Sequence, residues 1–383
     1  MIPNSVNYIS VMKKIGLITF HAVHNCGAFL QAYALQRVLN SLIPGISCEI
    51  LDFQSAAQKK CYSHFLPNVS VENILKNLWI LLHPSESRQM SEAFLACQKT
   101  HLPVSAKKFT NGTELSQVVD EYAVFLSGSD QIWNVDLPDY SSAFYLDFVR
   151  GKPKIAYAAS MGSNMDSVAF NSKREWIRQR LLDYDAISVR EAAGRRFIHE
   201  LIQKEVPVVL DPTMLLSTED YSSLCGDRLV NDDYIYLYSV MPLSPEMIRL
   251  IVAFSKKVRL PVVVFSKTPN FCFWKNHFHV MHSVGPRDFL SLVRYARYVL
   301  SLSFHGCVFS MLYKKNFYSL QYGSGHEDQR LETLFENFGI QGRVLTPQMD
   351  VPEQLLPVDY SEMEPVLKRE RGKSLDYLVS ALG

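Results

Sequence analysis

The chain runs to 383 residues and 43.8 kDa, too long for one ordinary core and suited to two α/β domains. With 48% hydrophobic and 20% charged residues it is globular rather than disordered, and a formal charge of +1, from 39 basic and 38 acidic side chains, excludes a global field that recruits nucleic acid. Seven cysteines with no CxxC pair fit reduced cytosolic thiols, and the lack of any apolar run of about 18 residues predicts no membrane span.

Residues 1–12, MIPNSVNYISVM, carry neither the charged start nor the apolar middle of a signal peptide and are expected to form a poorly ordered leader. Apolar runs of strand length then alternate with amphipathic helix-length segments, the pattern of parallel sheets with crossover helices. Strands are predicted at 15–20 (IGLITF), 48–53 (CEILDF), 123–128 (AVFLSG), 154–160 (KIAYAAS), 186–191 (AISVRE) and 207–212 (PVVLDP), with helices over 27–41, 172–183 and 191–203. Residues 55–118 interrupt this series with helical patterns and no good strand, which predicts a helical insertion. Inside it, NILKNLWILL (73–82) ends in a dense apolar patch that either packs on its own domain or docks at a membrane interface.

The pattern restarts after about residue 216, with strands predicted at 234–240, 261–266, 279–283, 298–303 and 317–322 and helices over 244–257, 286–296, 306–314 and 327–338. A charged amphipathic helix is predicted over 361–381. These series predict a first Rossmann-like domain over 13–215, a second over 216–345, and a C-terminal helical tail over 346–383 that packs back on the first domain.

Five segments carry chemistry. NCGAFLQAYALQ (25–36) follows the first strand, and Gly27 is expected to let the chain turn sharply into a helix whose start meets a phosphate or a sugar hydroxyl; Asn25 as an ordinary helix cap is the alternative. GSDQIWN (128–134) gathers Ser129, Asp130, Gln131 and Asn134 around Trp133 at a strand's carboxyl end, a setting for a sugar or for a capped turn over a core tryptophan. Arg190 in SVRE (188–191) suits a carboxylate or phosphate through its planar fork, or an ion pair with Glu191 or Asp211. SLSFHG (301–306) puts His305 at a helix start beside Ser303 and Gly306, where its imidazole can exchange a proton near neutral pH. QYGSGHEDQR (321–330) repeats the arrangement, with Gly323 and Gly325 in the loop and Arg330 in reach of an anion. His21 with His24, and His277, His279 and His282, are not spaced as a metal set.

Taken in order, ITF…NCGAFLQAYAL, GSDQIWN, IAYAASMG, AISVRE, VVLDPTMLL, GPRDFLSLVRYARYVLSLSFHG and FYSLQY resemble the polysaccharide pyruvyl transferase family, from about residue 14 to about 340. The resemblance implies a GT-B-like pair of Rossmann-like domains facing across a cleft, with the acceptor side on the first and the donor side on the second. It implies phosphoenolpyruvate as donor and a sugar of a cell-surface polysaccharide, or its lipid-linked oligosaccharide precursor, as acceptor. It implies no metal and no other cofactor, and a cytoplasmic site at the inner face of the membrane with peripheral contact to it. His305 matches the donor-site histidine and is expected to act as general acid, with Asp130 as base for the acceptor hydroxyls. Arg190, Ser303, Phe304, Gly306 and Arg330 are expected around the donor. Asn25, Cys26, Gly27, Gln31, Ser129, Gln131, Trp133 and Asn134 are expected around the acceptor. Some members carry an arginine two residues before the histidine; here that position is Ser303, so phosphate binding leans on helix starts and on Arg330, Arg287 or Arg294. A glycosyltransferase using a nucleotide sugar, and a non-catalytic carbohydrate-binding member, are the competing readings.

Overall fold

A computed structural model describes residues 13–42, 45–62, 65, 70–266, 268, 270–323 and 328–383. The predicted leader and Gly325 lie outside the described residues. In chain order the elements of the first half are β1 (Lys13–Ile18), α1 (Cys26–Leu42), β2 (Ile46–Phe53), α2 (Ala56–Cys61), α3 (Val71–Leu82), α4 (Pro84–His101), β3 (Val104–Phe109), α5 (Gly112–Ser116), β4 (Val124–Ser127), β5 (Lys154–Ala159), α6 (Val168–Leu182), β6 (Ala186–Val189) and α7 (Ala192–Ile202). The second half holds β7 (Ile235–Tyr238), α8 (Pro245–Val258), β8 (Val262–Phe265), α9 (Phe271–Lys275), β9 (His279–Met281), α10 (Pro286–Tyr295), β10 (Tyr298–Ser301), α11 (Phe304–Leu312), β11 (Asn316–Leu320), α12 (Gln329–Asn337), β12 (Val344–Leu345) and α13 (Met363–Leu382).

Each half builds one six-stranded sheet with every pairing parallel, in the orders β3-β2-β1-β4-β5-β6 and β12-β11-β10-β7-β8-β9. Renumbered within its own half, the second order is the first read from the other edge. Both are Rossmann orders, and each reverses direction between its first and fourth strands, where a crevice opens at the carboxyl ends. The central strands are mostly apolar because helices cover both faces: Ile15, Leu17 and Ile18 in β1 and all of β4, β5 and β7 are buried, with Ser127 and Lys154 as polar ends. One buried cluster runs from Phe29, Tyr33 and Leu35 of α1 through Phe289 and Leu290 of α10 to Phe309 of α11, so the halves meet through packed helices.

Three strands depart from expectation: Val344–Leu345 forms β12, an unpredicted outer strand of the second sheet, and two differ in the first half. VSAKKF forms β3, the outer strand of the first sheet, where no strand is predicted. It has one neighbour, so Ala106, Lys107 and Lys108 face water while Ser105 Oγ accepts from the Asp52 N–H at 2.9 Å, and no apolar run betrays it. PVVLDP is no strand. Val208 makes an isolated bridge to Val189, and Asp211 caps a short 3-10 turn, Pro212–Met214.

α3 buries Ile80 but leaves Ile74, Leu75, Leu78, Leu81 and Leu82 exposed, and Trp79 reaches His282 of the second half with ring centroids 4.9 Å apart. No described helix is long and apolar enough to cross a membrane.

The segment after β12 follows the second half, where Tyr360 Oη donates to the Lys315 carbonyl at 2.6 Å, and then α13 returns to the first sheet. There Tyr377 Oη donates to the Ala156 carbonyl of β5 at 2.8 Å, and Ser374 Oγ accepts from the Leu210 N–H at 3.0 Å. Tyr377→Phe should keep the ring packed but remove this bond, leaving the Ala156 carbonyl to Ser188 Oγ at 3.1 Å and lowering stability by about 1 kcal/mol in urea denaturation; an unchanged midpoint would show that α13 is not anchored through it.

Candidate active site in the interdomain cleft

The two sheet crevices face each other across a cleft of about 1520 Å³. Its walls follow from topology. Asn25 and Cys26 come from the chain after β1, Asp130, Gln131 and Asn134 from after β4, Tyr238 and Ser239 from β7 and the residue after it, and Ser303, Phe304 and His305 from after β10. Arg330, at the start of α12, closes one side.

Several residues expected in the site lie behind this surface. Trp133 is 0% exposed; its Nε1–H donates to the Phe144 carbonyl and its ring stacks on Tyr145, so it is core and cannot cover a sugar. Gln31 is fully buried and donates to Thr19 Oγ1 at 2.9 Å and to the carbonyls of Phe20 and Ala28, while its Oε1 accepts from the Ser129 N–H at 3.2 Å. Ser129 is buried and donates to the Ala158 carbonyl. Both brace the loop that presents Asp130, whose backbone is held at φ +78°, a left-handed conformation uncommon outside glycine and enriched in Asp and Asn. Gly306 is also buried, and a Cβ there would stand 2.1 Å from Ser301 Oγ.

The first helix start differs from expectation for a physical reason. Gly27 lies inside α1 with no positive φ, and the Asn25 side chain accepts from the N–H groups of Gly27 and Ala28 at 2.9 and 3.3 Å. Those donors are therefore satisfied internally. Glycine is needed instead for space: a Cβ on Gly27 would stand 2.2 Å from His305 Nδ1. The start of α11 is different, because its cap residue Ser303 makes no side-chain capping bond. Its first-turn N–H groups remain for another acceptor, and they start at Phe304, two residues before the predicted start.

Beneath the cleft floor lies a buried ionic cluster. Arg190 is 4% exposed; Nη1 donates to Asp211 Oδ2 at 2.6 Å, Nη2 donates to Asp130 Oδ1 at 3.4 Å, and Nε stands 3.9 Å from Glu191 Oε2. His305, 5% exposed, turns Nε2 toward the same Asp211 Oδ2 at 3.5 Å. Arg330 grips Asp328 with two bonds of 2.7 and 2.6 Å. Both guanidinium groups lie against the Phe304 ring, 4.5 Å from its centroid for Arg190 and 5.6 Å for Arg330. Asp211 and Glu191 enter as the ion-pair partners that the sequence offered for Arg190 as the alternative to a ligand, and the structure shows that pairing; Asp328 was not singled out from sequence.

Burial opposes ionisation of Asp211, but His305, Arg190 and Thr213 outweigh it and hold the carboxyl far below the ordinary carboxylate range. For Asp328, burial again opposes ionisation, and Arg330 outweighs it. Glu191 goes the other way. Burial pushes it up to about 6, against the pull of Arg190 and Arg330, with Oε1 accepting from the Met161 N–H at 3.0 Å and Oε2 without a hydrogen bond. Among the described residues no group of three His, Cys, Asp or Glu side chains is placed to hold a metal ion.

Two outcomes follow. Gly27→Ala should drive the new methyl into the His305 imidazole, costing about 1–3 kcal/mol of stability or displacing the ring; a variant with unchanged melting and unchanged His305 resonances would refute that contact. Because Glu191 holds its proton more tightly folded than at its ordinary value of 4.5, its contribution to stability is present below that pH and lost as pH rises through about 6. Glu191→Gln should therefore gain about 2 kcal/mol relative to the parent protein between pH 4.5 and pH 7 in urea titrations, and a constant difference would show no such titration.

Comparison with known proteins places this architecture. Solved structures of UDP-GlcNAc 2-epimerase share it: the enzyme from Neisseria meningitidis, bound to UDP-GlcNAc, is 11% identical over 97% of this chain and 99% of that chain, with a TM-score of 0.51. The enzyme from Methanocaldococcus jannaschii is 11% identical over 96% of this chain and 99% of that chain, with a TM-score of 0.53. At such identity the likeness concerns the fold alone, which is GT-B. Comparison with curated proteins finds no match. Residues 25–324 match the family pattern of the polysaccharide pyruvyl transferases, a stretch that takes in both crevices and the cluster from Arg190 to His305, and the chain belongs to the polysaccharide pyruvyl transferase family.

Proposed function

We propose that the protein transfers the enolpyruvyl group of phosphoenolpyruvate to a sugar of a cell-surface polysaccharide or its lipid-linked precursor, closing a pyruvate ketal and releasing phosphate. The observation that carries this reading is the meeting of an imidazole, two guanidinium groups and an uncapped helix start around Phe304, at one end of a cleft with room for a sugar. The donor bears a carboxylate and a phosphate on one small frame and calls for two adjacent anion receptors.

The chemistry divides among these groups. The CH2 carbon of phosphoenolpyruvate takes a proton from His305, and the cation formed at C2 is captured by one sugar hydroxyl. Phosphate leaves with its bridging oxygen, and a second hydroxyl closes the ring. Of the two hydroxyl protons, one replaces the proton spent on the methyl group and the other leaves on phosphate. The uncapped N–H groups of α11 receive the phosphate. Asp130 lines the cleft and meets Arg190, buried beneath it, through a long 3.4 Å contact, so a donor carboxylate that displaces Asp130 can reach Arg190 and free Asp130 to accept a hydroxyl proton. Asn25, Gln131 and Asn134 line the acceptor wall. The exposed leucines of α3 support a site at the inner face of the membrane, where a lipid-linked acceptor is presented.

A nucleotide sugar is the competing donor, favoured by the fold neighbour that holds UDP-GlcNAc. Phosphate release from phosphoenolpyruvate across a panel of sugar acceptors, beside calorimetry with nucleotide sugars, decides between them. His305→Ala should lower the release rate at least about a hundredfold with the fold intact, and the parent rate should survive chelation. Nucleotide-sugar binding with no response to phosphoenolpyruvate, alone or with acceptor, would overturn the proposal.

A further inference from the structure

His305 is held between two fixed structures that leave its ring nitrogens unequal roles. On one side lies Asp211, itself immobilised. Its Oδ1 accepts from the Thr213 N–H at 3.0 Å and from Thr213 Oγ1 at 2.6 Å, and its Oδ2 accepts from Arg190 at 2.6 Å. That same Oδ2 is 3.5 Å from His305 Nε2, a buried atom with no other partner. On the other side Nδ1 lies over Gly27, next to Asn25 and Cys26 of the cleft wall. A carboxylate only accepts, so the nitrogen facing it is the one that keeps a proton. The 3.5 Å separation is loose for a hydrogen bond, and such contacts tighten when a ligand fills the site.

We infer that Asp211 is the positioning residue of the proposed acid: it retains the proton on Nε2 of His305 and thereby makes Nδ1, over Gly27, the nitrogen that exchanges a proton with substrate. This rests on the proposed transfer reaction. In the acid step the Nδ1–H bond breaks, the CH2 carbon of the enolpyruvyl group gains that proton, and the electron pair returns to a ring that stays protonated at Nε2. The ring is recharged at Nδ1 by a proton from an acceptor hydroxyl. Asp211 stays ionised throughout, because Arg190 and Thr213 occupy it as well. Glycine at position 27 keeps the space at Nδ1 open.

The test is the tautomer of one imidazole. Protein labelled with ¹⁵N in its histidine rings is studied in mildly alkaline buffer, with the His305 signals identified by their loss in His305→Gln. The neutral ring should carry its proton on Nε2 in the parent protein. In Asp211→Asn that preference should fall at least about tenfold, because the oxygen that stays on Arg190 and faces Nε2 is then a neutral amide oxygen, a weaker acceptor than a carboxylate. The same variant should lose roughly a hundredfold in kcat with a much smaller change in KM, since its amide oxygen still accepts from Arg190. A parent ring protonated on Nδ1, or the same tautomer ratio in Asp211→Asn, would overturn the inference. If Asp211→Asn fails to fold, the parent spectrum alone decides. If the parent protein does not turn over phosphoenolpyruvate, the proposed function fails while the spectrum still reports on the Asp211–His305 pair.

Discussion

Burying the Arg190 guanidinium against the Asp211 carboxylate is the constraint around which the cleft is arranged. Both groups are almost wholly removed from water. Desolvating two charges is costly, and the attraction between them offsets that cost only where the remaining donors and acceptors are also met. Here they largely are. Asp211 is held by Thr213 as well as by Arg190, and the flat face of the guanidinium lies on Phe304. Removing either partner costs the other its short bond, leaving Arg190 with Asp130 at 3.4 Å and Glu191 at 3.9 Å, or Asp211 with Thr213 and His305, a loss below the roughly 3–5 kcal/mol of a buried charge left wholly unpaired. The unsatisfied atoms of the cluster, Arg190 Nε, Glu191 Oε2 and His305 Nε2, sit together just below the cleft floor, where unmet polar groups point to function rather than to stability.

This cluster joins parts that are distant in sequence. Arg190 ends β6 of the first sheet, Asp211 caps the turn that leaves that half, and His305 opens α11 of the second. Equivalent topologies put both crevices at strand carboxyl ends, and packing of α1 against α10 turns the two crevices toward each other. The interface beside the cleft is apolar and well filled, so the relative placement of the halves depends on the same helices whose first residues line the site.

Close approach explains the glycine of the first helix better than backbone freedom does. Gly27 adopts ordinary helical geometry, yet no larger residue leaves room for the His305 ring. A feature read in sequence as a turn device is a contact between two halves of the molecule. The same logic moves Trp133, Gln31 and Ser129 from the ligand surface to the layer behind it, where they hold the Asp130 loop in its uncommon conformation.

Local periodicity by itself determined that the chain forms two series of parallel strands with crossover helices, because strands covered on both faces are mostly apolar and need no distant partner to be recognised. It also placed Asp130, Arg190 and His305 at strand ends, since that position is a property of the neighbouring residues. Edge strands β3 and β12 escaped notice because only one side of each is paired; outward lysines erase the apolar run of β3, and β12 has two residues. Tertiary structure alone decided which polar residues meet the cleft. The Asn25 cap is local and was legible as an alternative, but which carboxylate faces His305 and why position 27 must be glycine depend on contacts spanning up to nearly three hundred residues, as between Gly27 and His305, and no local pattern encodes a distance across that gap.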